Sequence, residues 1–141
     1  MAWTFGLGRI NINGKLKKEV ERTDKDIGEL FKEFIQPEVH ILNSTNLERA
    51  TNLIKRILGD IEQHKKLLSH DYNLHNFPEI NQLENSIKNF YKMLEEDHKL
   101  IKSQQRIKLD PIIKNIKTEL LTIRHSWDIY KDKLHRLGII K

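Results

Sequence analysis

The sequence predicts an all-α fold: a four-helix bundle with coiled-coil-like seams, a kinked or broken first helix and an extended N-terminal arm. Three observations carry that expectation. Apolar residues recur at alternating steps of three and four along three long stretches, the spacing that lays one apolar stripe along a helix. Helix-start signals stand at four places. The composition, 38% apolar and 32% charged with three prolines and six glycines in 141 residues, suits helices better than a β-sandwich or a disordered tail. A chain of this length is one domain, divided here into an arm over 1–14 and a bundle over 15–141.

The opening decapeptide MAWTFGLGRI sets Trp3, Phe5 and Leu7 in alternation and adds Ile10. An extended backbone would place the three alternating residues on one side, with Gly6 and Gly8 leaving the other open to close approach. Asn13-Gly14 is a favoured hairpin dipeptide, but the implied register would set Ile10 and Ile12 against Lys17 and Lys15 with Leu16 on the opposite face. Leu16 and Val20, four apart, fit a helix better, so Lys15–Arg22 reads as a basic helical segment leading toward the first main helix.

Thr23-Asp24-Lys25-Asp26 is the weakest of the four starts, ahead of a rough stripe of Ile27, Leu30, Phe31, Phe34 and Ile35. Pro37 lacks an amide hydrogen and predicts a kink or an end. The second helix opens on the capping box Thr45-Asn46-Leu47-Glu48 and runs through Leu47, Ala50, Ile54, Ile57, Ile61, His64 and Leu68. A polar loop from Ser69 to Phe77 follows. Asn76-Phe77-Pro78-Glu79 starts the third helix, whose seam is Ile80, Leu83, Ile87, Phe90, Leu94, His98 and Ile101. Asp110-Pro111 places a capping carboxylate before a proline at the first helical position. The last seam then runs Ile113, Ile116, Leu120, Ile123, Trp127, Tyr130, Leu134 and Leu137. Stripes this complete must be buried against one another.

Composition also excludes chemistry. The absence of cysteine removes disulfides, thiol catalysis and cysteine-ligated metals. No apolar run reaches the length of a membrane span and no signal-peptide pattern opens the chain, so a cytoplasmic protein is expected. The formal charge of +5 is uneven. Residues 1–20 carry four bases against one acid and residues 106–141 nine against four, whereas 21–40 carry six acids against three bases. Basic ends with an acidic stretch between them suit head-to-tail contact or an anionic partner.

Four groups of residues are candidates for function. Trp3, Phe5, Leu7 and Ile10 form an apolar arm that docks on its own bundle, on a partner or second copy in a homo-oligomer, or on an anionic membrane surface. Lys15, Lys17 and Lys18 add charge beside it. On the last helix Lys117, Arg124 and Lys131 repeat at sevens, with Lys114 nearby, as a flank able to follow nucleic-acid phosphates without reading sequence. Glu95 and His98, three apart, resemble the carboxylate–histidine pair of metal-binding bundles, and His64 lies on the preceding seam; one such pair is too few for a dinuclear site, so paired structural histidines and no metal are expected. Glycine-rich phosphate loops and nucleophile–base spacings are missing. The function expected is therefore a non-enzymatic interaction or assembly module without a cofactor, with sequence-independent nucleic-acid binding and then metal binding as alternatives.

Overall fold

The computed structural model describes the backbone of residues 2–35, 44–103 and 109–140 and the side chains of residues 13–34, 45–103 and 110–140. Four helices account for nearly all of it: α1 (Ala2–Ile35), α2 (Ser44–Asp71), α3 (Pro78–Lys102) and α4 (Leu109–Arg136), with a short 3-10 helix at Leu74–Asn76. No strand occurs among the described residues. Each helix packs on its sequence neighbours and α1 also meets α4, which closes an up-down-up-down four-helix bundle.

The buried residues reproduce the sequence stripes. Every position of the α2 seam is buried, from Leu47 to Leu68 and including His64, and so are Ile80 through Leu94 on α3 and Ile116 through Leu134 on α4. Phe34 and Phe90 meet edge to face at 6.2 Å between the first and third helices. Burying a side chain of this kind contributes about 1.5–3 kcal/mol before ordering entropy, so the shared seam dominates stability.

The N-terminal third departs from expectation. The extended arm is overturned: α1 is helical from Ala2 and runs unbroken through Gly14 to Ile35. The alternation of Trp3, Phe5 and Leu7 is one-sided only on extended backbone, whereas a helix turns 100° per residue; their side chains, with that of Ile10, lie outside the described residues. Thr23 is not a helix start either. Its hydroxyl donates to the Glu19 carbonyl at 2.8 Å, a bond to the residue four back that lets it sit within the helix. With Thr23 counted, Leu16, Val20, Thr23, Ile27, Leu30 and Phe34 form one continuous buried seam. The kink or break expected at Pro37 falls outside the described residues, and up to Ile35 α1 is uninterrupted.

The connection between α2 and α3 is more ordered than a polar loop. Asn73 accepts the His75 amide at 3.0 Å to cap the 3-10 turn, Phe77 is buried, and Tyr72 packs against it at 5.9 Å. Pro78 then occupies the first position of α3, where a missing amide costs nothing. The expected capping residues Thr45 and Asp110 fall just inside α2 and α4, which begin at Ser44 and Leu109.

At the far end the seam stops one residue early. Leu137 is 56% exposed, because Gly138 adopts a φ of 71° and reverses the chain. The Gly138 amide donates to the His135 carbonyl at 3.0 Å and the Ile139 amide to the Leu134 carbonyl at 2.9 Å, the paired bonds of a Schellman stop. This turn folds Ile139 and Ile140 back into the core in place of Leu137.

Candidate functional site

The chemistry-bearing side chains of the interior gather where α1, α2 and α4 meet. His64 sits on the α2 seam with no exposed surface, its Nε2 3.0 Å from Thr23 Oγ1 and its Nδ1 3.0 Å from the Tyr130 hydroxyl. Thr23 has already committed its hydrogen to the Glu19 carbonyl, so its oxygen accepts from His64. Nε2 therefore carries the proton and Nδ1 accepts from Tyr130. The result is one ordered chain, Tyr130 O–H to His64 Nδ1, Nε2–H to Thr23, and Thr23 O–H to the carbonyl of Glu19.

Burial pushes the His64 imidazole down to about 4, against a smaller opposing effect of the nearby Glu19 backbone, so it is neutral at physiological pH. Burial likewise pushes the Tyr130 phenol far above its ordinary range. The Trp127 ring lies 5.8 Å from His64 and 5.7 Å from Tyr130, completing an aromatic wall. These groups are sealed from solutes and act on one another.

Around this layer run two charged rims. On the α4 side Asp24 accepts from Trp127 Nε1 at 2.7 Å and from Lys131 Nζ at 3.0 Å. Burial alone would raise the Asp24 carboxyl, but those two bonds and the charges of Lys131 and Arg124 hold it below its usual value. On the α2 side Arg56 reaches Asp26 at 3.5 Å and Glu29 at 3.3 Å, and Arg49 reaches Glu33 at 3.5 Å. Between the rims Asp26 and Asp60 face each other across the α1–α2 contact, both almost wholly buried. Elsewhere Lys65 ties α2 to Glu84 of α3 at 2.8 Å. Lys133 of α4 holds Glu79 at 2.9 Å, reaches the Asn76 carbonyl and lies 5.0 Å over the Phe77 ring.

The basic candidates do not form one surface. Lys15, Lys17 and Lys18 are exposed near the end of the bundle where α4 finishes; Lys114 and Lys117 are exposed near the other end, where α4 begins. Between them Lys131 is occupied by Asp24, by Asp128 at 3.7 Å and by the Trp127 face at 5.6 Å. The Arg124 guanidinium lies 5.3 Å over the Phe31 ring. Two of the three residues repeating at sevens therefore brace α4 against α1.

The metal candidates are not brought together. Both ring nitrogens of His64 are engaged, Glu95 is exposed and pairs with Tyr91, and His98 is half-buried beside Glu48, Thr51, Asn52 and Lys55. Among the described residues no three His, Cys, Asp or Glu side chains are placed to hold a metal ion.

Sequence reasoning missed Thr23, Asp24, Asp26 and Asp60. Thr23 was legible as the missing step between Val20 and Ile27, but carboxylates on polar-looking faces, such as Asp24, Asp26 and Asp60, carry no signal of the helix they meet. Among the described residues no helix is long and apolar enough to cross a membrane. No protein-family model, curated protein or solved structure matches the chain.

Proposed function

We propose that this chain is a non-catalytic helical assembly module that docks on a second copy through the N-terminal extension of α1. The carrying observation is the unequal length of the helices. The contacts Glu33–Arg49, Asp26–Arg56 and Thr23–His64 fix an antiparallel register that brings the end of α2, Asp71, level with the turn around Gly14. α1 begins at Ala2, so its helix continues for about ten residues, roughly 15 Å, past the end of α2. That overhang carries Trp3, Phe5, Leu7 and Ile10 in its sequence, and the exposed Lys15, Lys17 and Lys18 follow it. A second copy would offer such an apolar sequence a surface to bury on, and a helix in a groove is a common way to do so.

Light scattering coupled to size-exclusion chromatography tests this on the full chain and on a chain lacking residues 1–12. The expected result is a multimer that falls to monomer on truncation with the bundle still folded. A monomer in both cases refutes self-docking.

Sequence-independent nucleic-acid binding is the second reading, favoured by the exposed Lys114 and Lys117. Replacing both with Gln is expected to lower affinity and flatten its salt dependence; an unchanged salt slope removes it.

A further inference from the structure

We propose that Asp60 carries a proton that it shares with Asp26, and that this proton latches α1 to α2, its loss loosening the two helices. Asp26 is 3% and Asp60 5% exposed, and the Oδ2 of each is buried with no donor supplied by any other described group. Two buried carboxylates in contact repel unless one is protonated and donates to the other. The surroundings decide which one. Arg56 puts a cation 3.5 Å from Asp26 Oδ1. Asp60 faces Asp26 and Glu19, with Arg22 as the cation on that side, and Arg22 is itself paired with Glu19 at 3.2 Å. Asp60, with no cation of its own, is thus the donor and Asp26 the acceptor.

The other packed elements turn their charges elsewhere. α4 meets α1 through Asp24, Lys131 and Arg124, and Asp24 is two residues from Asp26 and so on the opposite flank of the helix. α3 meets α2 through Glu84 and Lys65. Among the described residues no third His, Cys, Asp or Glu is placed with them to hold a metal ion.

Burial, the bond to Asp26 and the charges of Asp26 and Glu19 push the Asp60 carboxyl up to about 8. The folded chain therefore keeps a proton that the unfolded chain releases at about 3.9, and stability falls as pH rises toward 8. Below about pH 6.5 this fall is offset by His64, which the unfolded chain protonates and the folded chain does not. Above that the His64 offset is gone.

The test is urea unfolding of the full chain and of Asp60→Asn between about pH 6.5 and about pH 9, with amide hydrogen exchange corrected for its intrinsic pH dependence. The folding constant of the unmodified chain is expected to fall roughly thirtyfold over this range, and protection of α1 amides to fall relative to α3. Asp60→Asn keeps a donor toward Asp26 with nothing to titrate, so both quantities stay level. The same pH response in both chains overturns the latch, as does unchanged α1 protection in the unmodified chain. If Asp60→Asn does not fold, carbon-13 titration of the Asp60 carboxyl in the unmodified chain decides: a midpoint near 8 upholds the latch and one near the ordinary carboxylate value overturns it.

Discussion

Replacing Tyr130 by Phe removes one oxygen from a buried chain of hydrogen bonds and leaves every ring in place. The Tyr130 hydroxyl donates to His64 Nδ1 at 3.0 Å, where neither group is reached by water. Without it Nδ1 is a buried acceptor with no donor, a deficit of about 1–3 kcal/mol. Thr23→Val damages the other end, since Nε2–H then loses its acceptor and the Glu19 carbonyl loses a donor; its cost is of the same size, about 1–3 kcal/mol. The two ends are joined through one imidazole, so the costs are not additive. Replacing all three together, Thr23→Val, His64→Leu and Tyr130→Phe, substitutes apolar groups for the whole relay and costs far less than the sum of the single changes. Urea unfolding at neutral pH measures each. A Tyr130→Phe chain within about 0.5 kcal/mol of the unmodified protein, or a triple variant as costly as the summed singles, refutes the relay.

Three further outcomes follow from the packing. Gly138→Ala forces a side chain into a φ of 71°; a Cβ there meets no heavy atom within 4 Å, so the cost is backbone strain alone, about 1 kcal/mol by thermal unfolding. Leu120→Ala empties a fully buried seam position and costs about 2–5 kcal/mol, whereas truncating Leu121, 61% exposed on the same helix, stays within about 0.5 kcal/mol. His64 titrates at about 4 in the folded chain against about 6.5 when unfolded, so its stability contribution is present above about pH 6.5 and lost as pH falls toward 4. Asp60→Asn removes the compensating titration and exposes that loss as a drop of roughly 3 kcal/mol between about pH 6.5 and 4, measured by urea unfolding.

Much of the bundle is legible because one signal is repeated. Periodic apolar residues give α2, α3 and α4, and Pro78 gives the start of α3, while the Ser69–Phe77 connection reads only as a polar loop. The first helix is harder to read because its seam passes through Thr23, a residue that caps helices when exposed and bonds back to its own helix when buried. Leu137 fits the period and still lies outside the core, since the glycine after it ends the helix and Ile139 supplies the apolar contact instead. A reading of Gly138 with an apolar residue next to it contains that outcome.

The interior polar layer is legible only in part. His64 is visible as a polar residue on an apolar stripe, and its structural pairing follows from its position. Asp26 and Asp60 are not, because which polar faces meet depends on the rotation of α1 against α2, a quantity no single helix encodes. The basic flank of α4 shows the converse. Its spacing is real, but Lys131 is paired with Asp24 and lies over Trp127, and the exposed Arg124 lies over Phe31.

The overhanging start of α1 is tested most directly by residue-resolved amide hydrogen exchange on the full chain at two protein concentrations far apart. Self-docking predicts that amides in residues 2–12 gain protection as concentration rises while those in 13–34 do not change. Protection in 2–12 that is the same at both concentrations contradicts it.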